Sequence, residues 1–128
     1  MNKYLAEGIG AFFLSLIAVM EMNHGQAANA PLAVGASLAA LSYAFGPLSG
    51  AHFNPAVSAG MLIQGRISRL DFPYYLLAQF LGGILAALMA SFLIRCAGPA
   101  DIQQRTVDTI CALLAEFLGV FILTAVFL

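Results

Sequence analysis

Long apolar runs broken by short polar connections dominate the chain. Residues 4 to about 22 carry charge only at Glu7 and Glu21. At about 1.5 Å per helical residue this run crosses a hydrocarbon layer of about 30 Å and predicts a first membrane span. Residues 23 to 30 are a polar connection, and Pro31 stands where a first helical turn tolerates it. A second span is predicted from about Pro31 to Phe45. Gly46-Pro47 is expected to stop it, because proline lacks an amide hydrogen and clashes with the preceding turn. A third span is the most sharply marked: Asp71 can cap it, Pro73 lies in its first turn, and apolar residues continue from Tyr74 to Ile94. Gly82, Ala86 and Ala90 form one stripe of small residues on it, and Gly83, Ala87 and Ser91 another, spacings that let helices approach closely in lipid. A fourth span begins near Thr109 and is still apolar at Leu128.

Between the second and third spans, Ser49 to Gly65 is too apolar for an ordinary loop and too broken by Gly50 and Pro55 for another crossing. Asn54 suits an N-cap and Pro55 a first helical residue. The segment from Ala56 to Gln64 then continues as helix until Gly65. About ten residues reach roughly 15 Å, half a bilayer. Such a half-helix starts near the midplane, where irregular backbone survives only inside protein or beside a water-filled cavity. Its first-turn amides and positive dipole end would face that cavity with the Asn54 amide, welcoming water and repelling cations. On the approach, the carbonyls of Gly50, Ala51, His52 and Phe53 would supply acceptors.

Composition agrees with spans. Of the 128 residues 62% are hydrophobic and 9% charged, against roughly 25% charged in an ordinary soluble domain. A net charge of −1 leaves no basic surface for nucleic acid. Lys3, Arg66 and Arg69 share one side, whereas the 23–30 connection on the other has no Lys or Arg and the 96–108 connection there holds Arg105 with Arg95 at its edge, so by this narrow excess the N-terminus is expected on the cytoplasmic side of a multi-pass cell-membrane protein. The apolar start, with no small-residue cleavage site, reads as a retained helix rather than a leader. Cys96 and Cys111 are too few for a disulfide framework and lack metal-site spacing; both are expected near the outer surface, as free thiols or as one pair.

The chain also repeats itself. A shift of 109 residues lays Leu5-Ala6-Glu7 on Leu114-Ala115-Glu116, Gly10 on Gly119, Phe12 on Phe121 and Leu14 on Leu123. Three spans separate the copies, so the second is inverted, an arrangement that places sites at the interface of the two repeats. With two copies of Ala-Glu-x-x-Gly, the run Ser49-Gly50-Ala51-His52-Phe53-Asn54-Pro55-Ala56-Val57 resembles the N-terminal half of the aquaporin, or major intrinsic protein, family. The resemblance covers essentially the whole chain.

It implies an all-α membrane protein, an aquaporin-like half bundle of four transmembrane helices plus one re-entrant half-helix at about 54–64. Residues 1–108 would be the first repeat and 109–128 the start of the second. It further implies passive conduction of water or a small uncharged solute, with no enzymatic activity and no cofactor or metal, in a homotetramer with one pore per subunit. Gly50, Ala51, His52, Phe53, Asn54, Pro55 and Ala56 would line the pore. Val34 falls near the filter position of the second span, where a bulky aromatic is usual in strict water channels and a smaller residue leaves room for wider solutes; simple helix packing is the alternative. Glu7 and Glu116 would brace the two loops, and His52 is expected to brace its own loop rather than to donate protons. Gln79 reads as a helix-packing contact. The second Asn-Pro-Ala and the filter arginine after it would lie near position 163, so a C-terminal half or a second chain is expected to complete the pore. Two other classes compete: half of an ion-coupled secondary transporter using Glu7 and Glu116, and an intramembrane enzyme using His52, for which no nucleophile and base stand at suitable spacing.

Overall fold

The computed structural model describes residues 1–23 and 29–97. Among these the elements are α1 (Lys3–Asn23), α2 (Ala30–Ser49), α3 (Pro55–Ile63) and α4 (Phe72–Ala97). Helices α1, α2 and α4 are long and apolar enough to cross a membrane. Nine-residue α3 reaches only about 14 Å. The expected fourth span, with Glu116 and Cys111, lies outside the described residues.

Helices α1 and α4 form the main packed pair, and their sequences explain the close approach. Gly82 sits directly on the Gly8 carbonyl, so that a Cβ there would overlap backbone and also come within 3.0 Å of the Phe12 nitrogen. Ala86 and Ala90 continue that stripe and are buried. Small residues thus bring backbone against backbone where apolarity alone gives helices no reason to associate. The second stripe is not used in this way. Gly83 and Ala87 border a cavity, and exposed Ser91 returns its hydroxyl to the Ala87 carbonyl at 2.8 Å. Leu77, Leu81, Leu85 and Leu88 are exposed on the outer face of α4, as befits a surface solvated by lipid.

Helix α2 does not stop at Phe45. It runs to Ser49 with Pro47 inside its last turn. The proline removes a single amide from a turn that would end soon in any case, and the end is closed by Gly50, left-handed at φ 87°, whose amide bonds the Gly46 carbonyl at 2.9 Å. The extra turn matters because it carries Ser49 inward, where it is buried.

The half-helix follows the sequence closely. Asn54 is extended at φ −144° and accepts a bond from the Ala56 amide through its side chain, with Pro55 in the first turn. Beyond Ile63, Gln64 closes the last turn onto Gly60 and Gly65 turns left-handed at φ 71°. Val57 and Met61 of α3 pack with Ile67 and Tyr75 in an apolar cluster flanked by Tyr4 and Leu62. At the start of α4, Asp71 ties three segments together. Its carboxylate accepts from Tyr4 Oη at 2.6 Å and Ser68 Oγ at 2.8 Å and pairs with Lys3 Nζ at 2.8 Å. Chiefly through Lys3, then Tyr4 and Ser68, these partners hold its pKa down at about 2.

Candidate functional site

The connection from α2 to α3 is held in an uncommon backbone conformation. Gly50, Ala51 and Phe53 all have positive φ, at 87°, 53° and 50°. Left-handed geometry costs an alanine or phenylalanine on the order of 1–2 kcal/mol, so something must fix it. That something is Glu7, a fully buried carboxylate one turn into α1. Its Oε1 accepts from the His52 amide at 3.0 Å and from Ser49 Oγ at 2.6 Å. Its Oε2 accepts from the Phe53 amide at 2.7 Å and from Gln79 Nε2 at 2.8 Å. Four donors fill the four acceptor positions of an ionised carboxylate. The Ala51 amide bonds Ser49 Oγ at 3.1 Å, so three successive loop amides point into protein.

The loop carbonyls are treated differently. The Ser49 carbonyl accepts from Tyr75 Oη at 2.7 Å, and the Asn54 carbonyl accepts from the Ser58 amide at 3.0 Å. The four between them, from Gly50 to Phe53, accept no hydrogen bond from any described residue. One edge of the backbone is therefore fully engaged and the other is left open.

Side chains complete the clamp. The Phe53 ring lies on Gly10, where a Cβ would overlap it, and meets Phe45 edge-on at 6.2 Å between centroids. His52 is buried beside the Tyr75 ring at 5.2 Å, with Nδ1 3.1 Å from Ser58 Oγ. Ser58 also accepts from Gln79 Nε2 at 2.9 Å. One network thus joins α1, α3, α4 and the loop.

Beside the turn lies a cavity of roughly 400 Å³ bordered by Phe53, Asn54, Pro55, Ala11, Ser15, Gln79 and Gly83, among others. Ala11 and Ser15 are eight and twelve residues in from Lys3 on α1, which sets the turn roughly 12–18 Å along a helix of about 32 Å, near mid-depth. Asn54 spends its Oδ1 on the Ala56 amide at 2.8 Å and donates Nδ2 to no described residue.

The sequence-predicted residues therefore divide into groups. Asn54, Pro55 and Phe53 border the cavity. Gly50 and Ala56 are exposed, while the side chains of Ala51 and His52 are buried in protein. Val34 is partly buried on α2 and does not border this cavity. Cys96 is an exposed free thiol. Sequence reasoning missed Tyr75 and Ser58 and gave Gln79 too small a part. Gln79 had a signal, as the one amide in an otherwise apolar stretch of the third span; Tyr75 and Ser58 had none in their local pattern.

The model of the major intrinsic protein family matches residues 1–128. The glycerol uptake facilitator protein-like 6 of Lactiplantibacillus plantarum is 43% identical over 68% of this chain and 41% of its own length. Aquaporin Z of Rhodopseudomonas palustris is 37% identical over 80% of this chain and 46% of its own. The aquaglyceroporin AqpS of Rhizobium meliloti is 37% identical over 76% and 41%. The chain thus spans less than half the length of these curated relatives. No solved structure matches it. A family match over the whole chain, together with a capped half-helix at mid-depth and a loop clamped on a buried glutamate, places this chain in the major intrinsic protein family.

Proposed function

We propose that this chain forms the N-terminal half of a membrane channel for water or small neutral solutes, with the loop from Gly50 to Asn54 as its pore-lining strip. The observation that carries the reading is the asymmetry of that loop. Glu7 and Ser49 absorb the amides of Ala51, His52 and Phe53, while the four carbonyls from Gly50 to Phe53, beside the tip of a half-helix, accept no hydrogen bond from any described residue. A row of acceptors ending at the positive end of a helix and at the Asn54 amide suits an uncharged molecule that both donates and accepts; a cation meets repulsion at the turn. Glu7 and, by the repeat, Glu116 act as loop braces.

The relatives' names, a glycerol uptake facilitator, an aquaporin and an aquaglyceroporin, span both water and glycerol. The solute is accordingly water or a small polyol such as glycerol, with Val34 as the filter position in this half. The same reading includes an N-terminus on the cytoplasmic side, a second inverted half that closes the pore, and a homotetramer. Nothing favours the ion-coupled alternative: a transporting carboxylate must exchange its proton, and Glu7 already holds four donors. No described group favours an enzyme.

Proteoliposomes test this directly. Stopped-flow light scattering of vesicles holding this chain with a complementary C-terminal half is expected to show accelerated osmotic shrinkage. Vesicles with this chain alone are expected to match empty ones. Uphill accumulation of a solute driven by a pH gradient would overturn the passive channel, and fast shrinkage with the lone chain would overturn the half-pore.

A further inference from the structure

The hydrogen-bond directions around Gln79 have a consequence for a different residue, His52. Gln79 is buried, and its Nε2 lies 2.8 Å from Glu7 Oε2 and 2.9 Å from Ser58 Oγ. The amide cannot be turned the other way, because Oε1 would then face the Glu7 carboxylate, acceptor against acceptor. Its two hydrogens therefore go to Glu7 and Ser58, and Oε1 is left buried without a partner.

Ser58 now receives a hydrogen bond and has one hydrogen of its own to place. Its other described neighbour is His52 Nδ1, at 3.1 Å. The remaining polar groups nearby are committed elsewhere: Tyr75 Oη donates to the Ser49 carbonyl and the Glu7 oxygens are filled. The Ser58 hydrogen therefore points at Nδ1, which must be bare to accept it.

We propose that Gln79 is a positioning residue that acts through Ser58 to hold His52 in the tautomer with its proton on Nε2. The relay runs one way, from the Gln79 amide to the Ser58 hydroxyl to the imidazole. Nε2 stands next to Gly50, where a Cβ would sit 3.1 Å from it, and bonds no described residue. Gly50 is exposed and opens the row of carbonyls that accept from no described residue. If the channel reading holds, the ring adds one fixed donor to a strip of acceptors; the other tautomer would add one more acceptor there. The tautomer itself does not depend on that reading.

The test is nitrogen NMR of this chain in lipid nanodiscs with 15N-labelled histidine, at a pH where the ring is neutral. His24→Gln removes the second histidine signal. The expected spectrum has a bare Nδ1 and a protonated Nε2, and Ser58→Thr, which keeps the hydroxyl, preserves it. Gln79→Met frees Ser58 to accept from the ring, and Ser58→Ala removes the hydroxyl that donates to Nδ1. In each, Nδ1–H forms are expected to rise to at least about a tenth of the population. A protonated Nδ1 in the unmodified ring overturns the assignment. An unchanged spectrum in Gln79→Met overturns the role of Gln79, and an unchanged spectrum in Ser58→Ala overturns the relay through Ser58. Should Gln79→Met fail to fold, an unchanged spectrum in Ser58→Ala still overturns the proposal. A chain that keeps this spectrum but forms no channel in proteoliposomes together with a complementary C-terminal half refutes the functional reading alone.

Discussion

Replacing Glu7 with methionine keeps the length of the side chain and removes every acceptor from the centre of the network. Four donors then lose their partner: Ser49 Oγ, the amides of His52 and Phe53, and one hydrogen of Gln79. Ser49 can recover, because the Phe45 carbonyl of its own helix lies 3.5 Å away. The other three are fixed by the backbone or by Ser58. At about 1–3 kcal/mol for each orphaned buried donor, the loss is about 3–9 kcal/mol. Donors in membrane-embedded unfolded states also find partners, so the lower end, about 3 kcal/mol, is the expectation. Glu7→Gln is milder. With its nitrogen at the Oε1 position, Ser49 can rotate to accept from it, and only the His52 amide is stranded, at about 1–3 kcal/mol. Detergent-driven unfolding in mixed micelles should therefore rank the native chain above Glu7→Gln and Glu7→Gln above Glu7→Met. Amide exchange at His52 and Phe53 should quicken in the same order. A Glu7→Met chain that unfolds within about 0.5 kcal/mol of the native one would refute the assignment of Glu7 as the clamp, because surface changes already span that range.

Three further outcomes follow from other contacts. Gly10→Ala sets a methyl group into the Phe53 ring; about 1–3 kcal/mol of overpacking is expected, read as a lower unfolding midpoint that Phe53→Leu partly restores. Asn54→Ala removes the cap on the Ala56 amide and should cost about 0.5–2 kcal/mol, while Asn54→Asp keeps the acceptor and should lose little stability, so that any fall in solute flux in that variant reports the added charge. Asp71 has a pKa lowered to about 2, first by Lys3 and then by Tyr4 and Ser68. A depressed carboxylate stabilises above its unfolded pKa and loses that contribution as pH falls through the folded one. The melting temperatures of the native chain and Asp71→Asn should thus differ near neutrality and converge between about pH 4 and pH 2.

Much of this architecture was legible in the order of residues because membrane spans obey a crude length rule and the half-helix carries strong local signals. Asn54-Pro55 and Gly65 set its two ends as expected, since caps and prolines act over one turn. Pro47 misled for a related reason: a proline rule describes helix interiors, and near a C-terminus the missing amide matters less than the next residue able to turn left-handed, which is Gly50. Glu7 stood out as a charge inside an apolar run. Its partners could not be read the same way, because Ser49, Gln79 and the two loop amides lie 42 to 72 residues away in sequence. Nor does any local pattern reveal that Ser58 serves as a relay, since a serine four residues after an N-cap is ordinary in a short helix.

The placement of Glu7 also bears on the order in which the molecule takes shape as it is synthesised. The loop after α2 leaves the ribosome well before Gln79 and Tyr75, yet its positive-φ backbone is held by α1 and, through Tyr75 and Gln79, by the first two turns of α4. Until α4 has been inserted beside α1, the strained turn lacks part of what holds it, and α3 has no wall to pack against. The half-helix, third in the chain, therefore cannot complete its described contacts until the helix that follows it is in place.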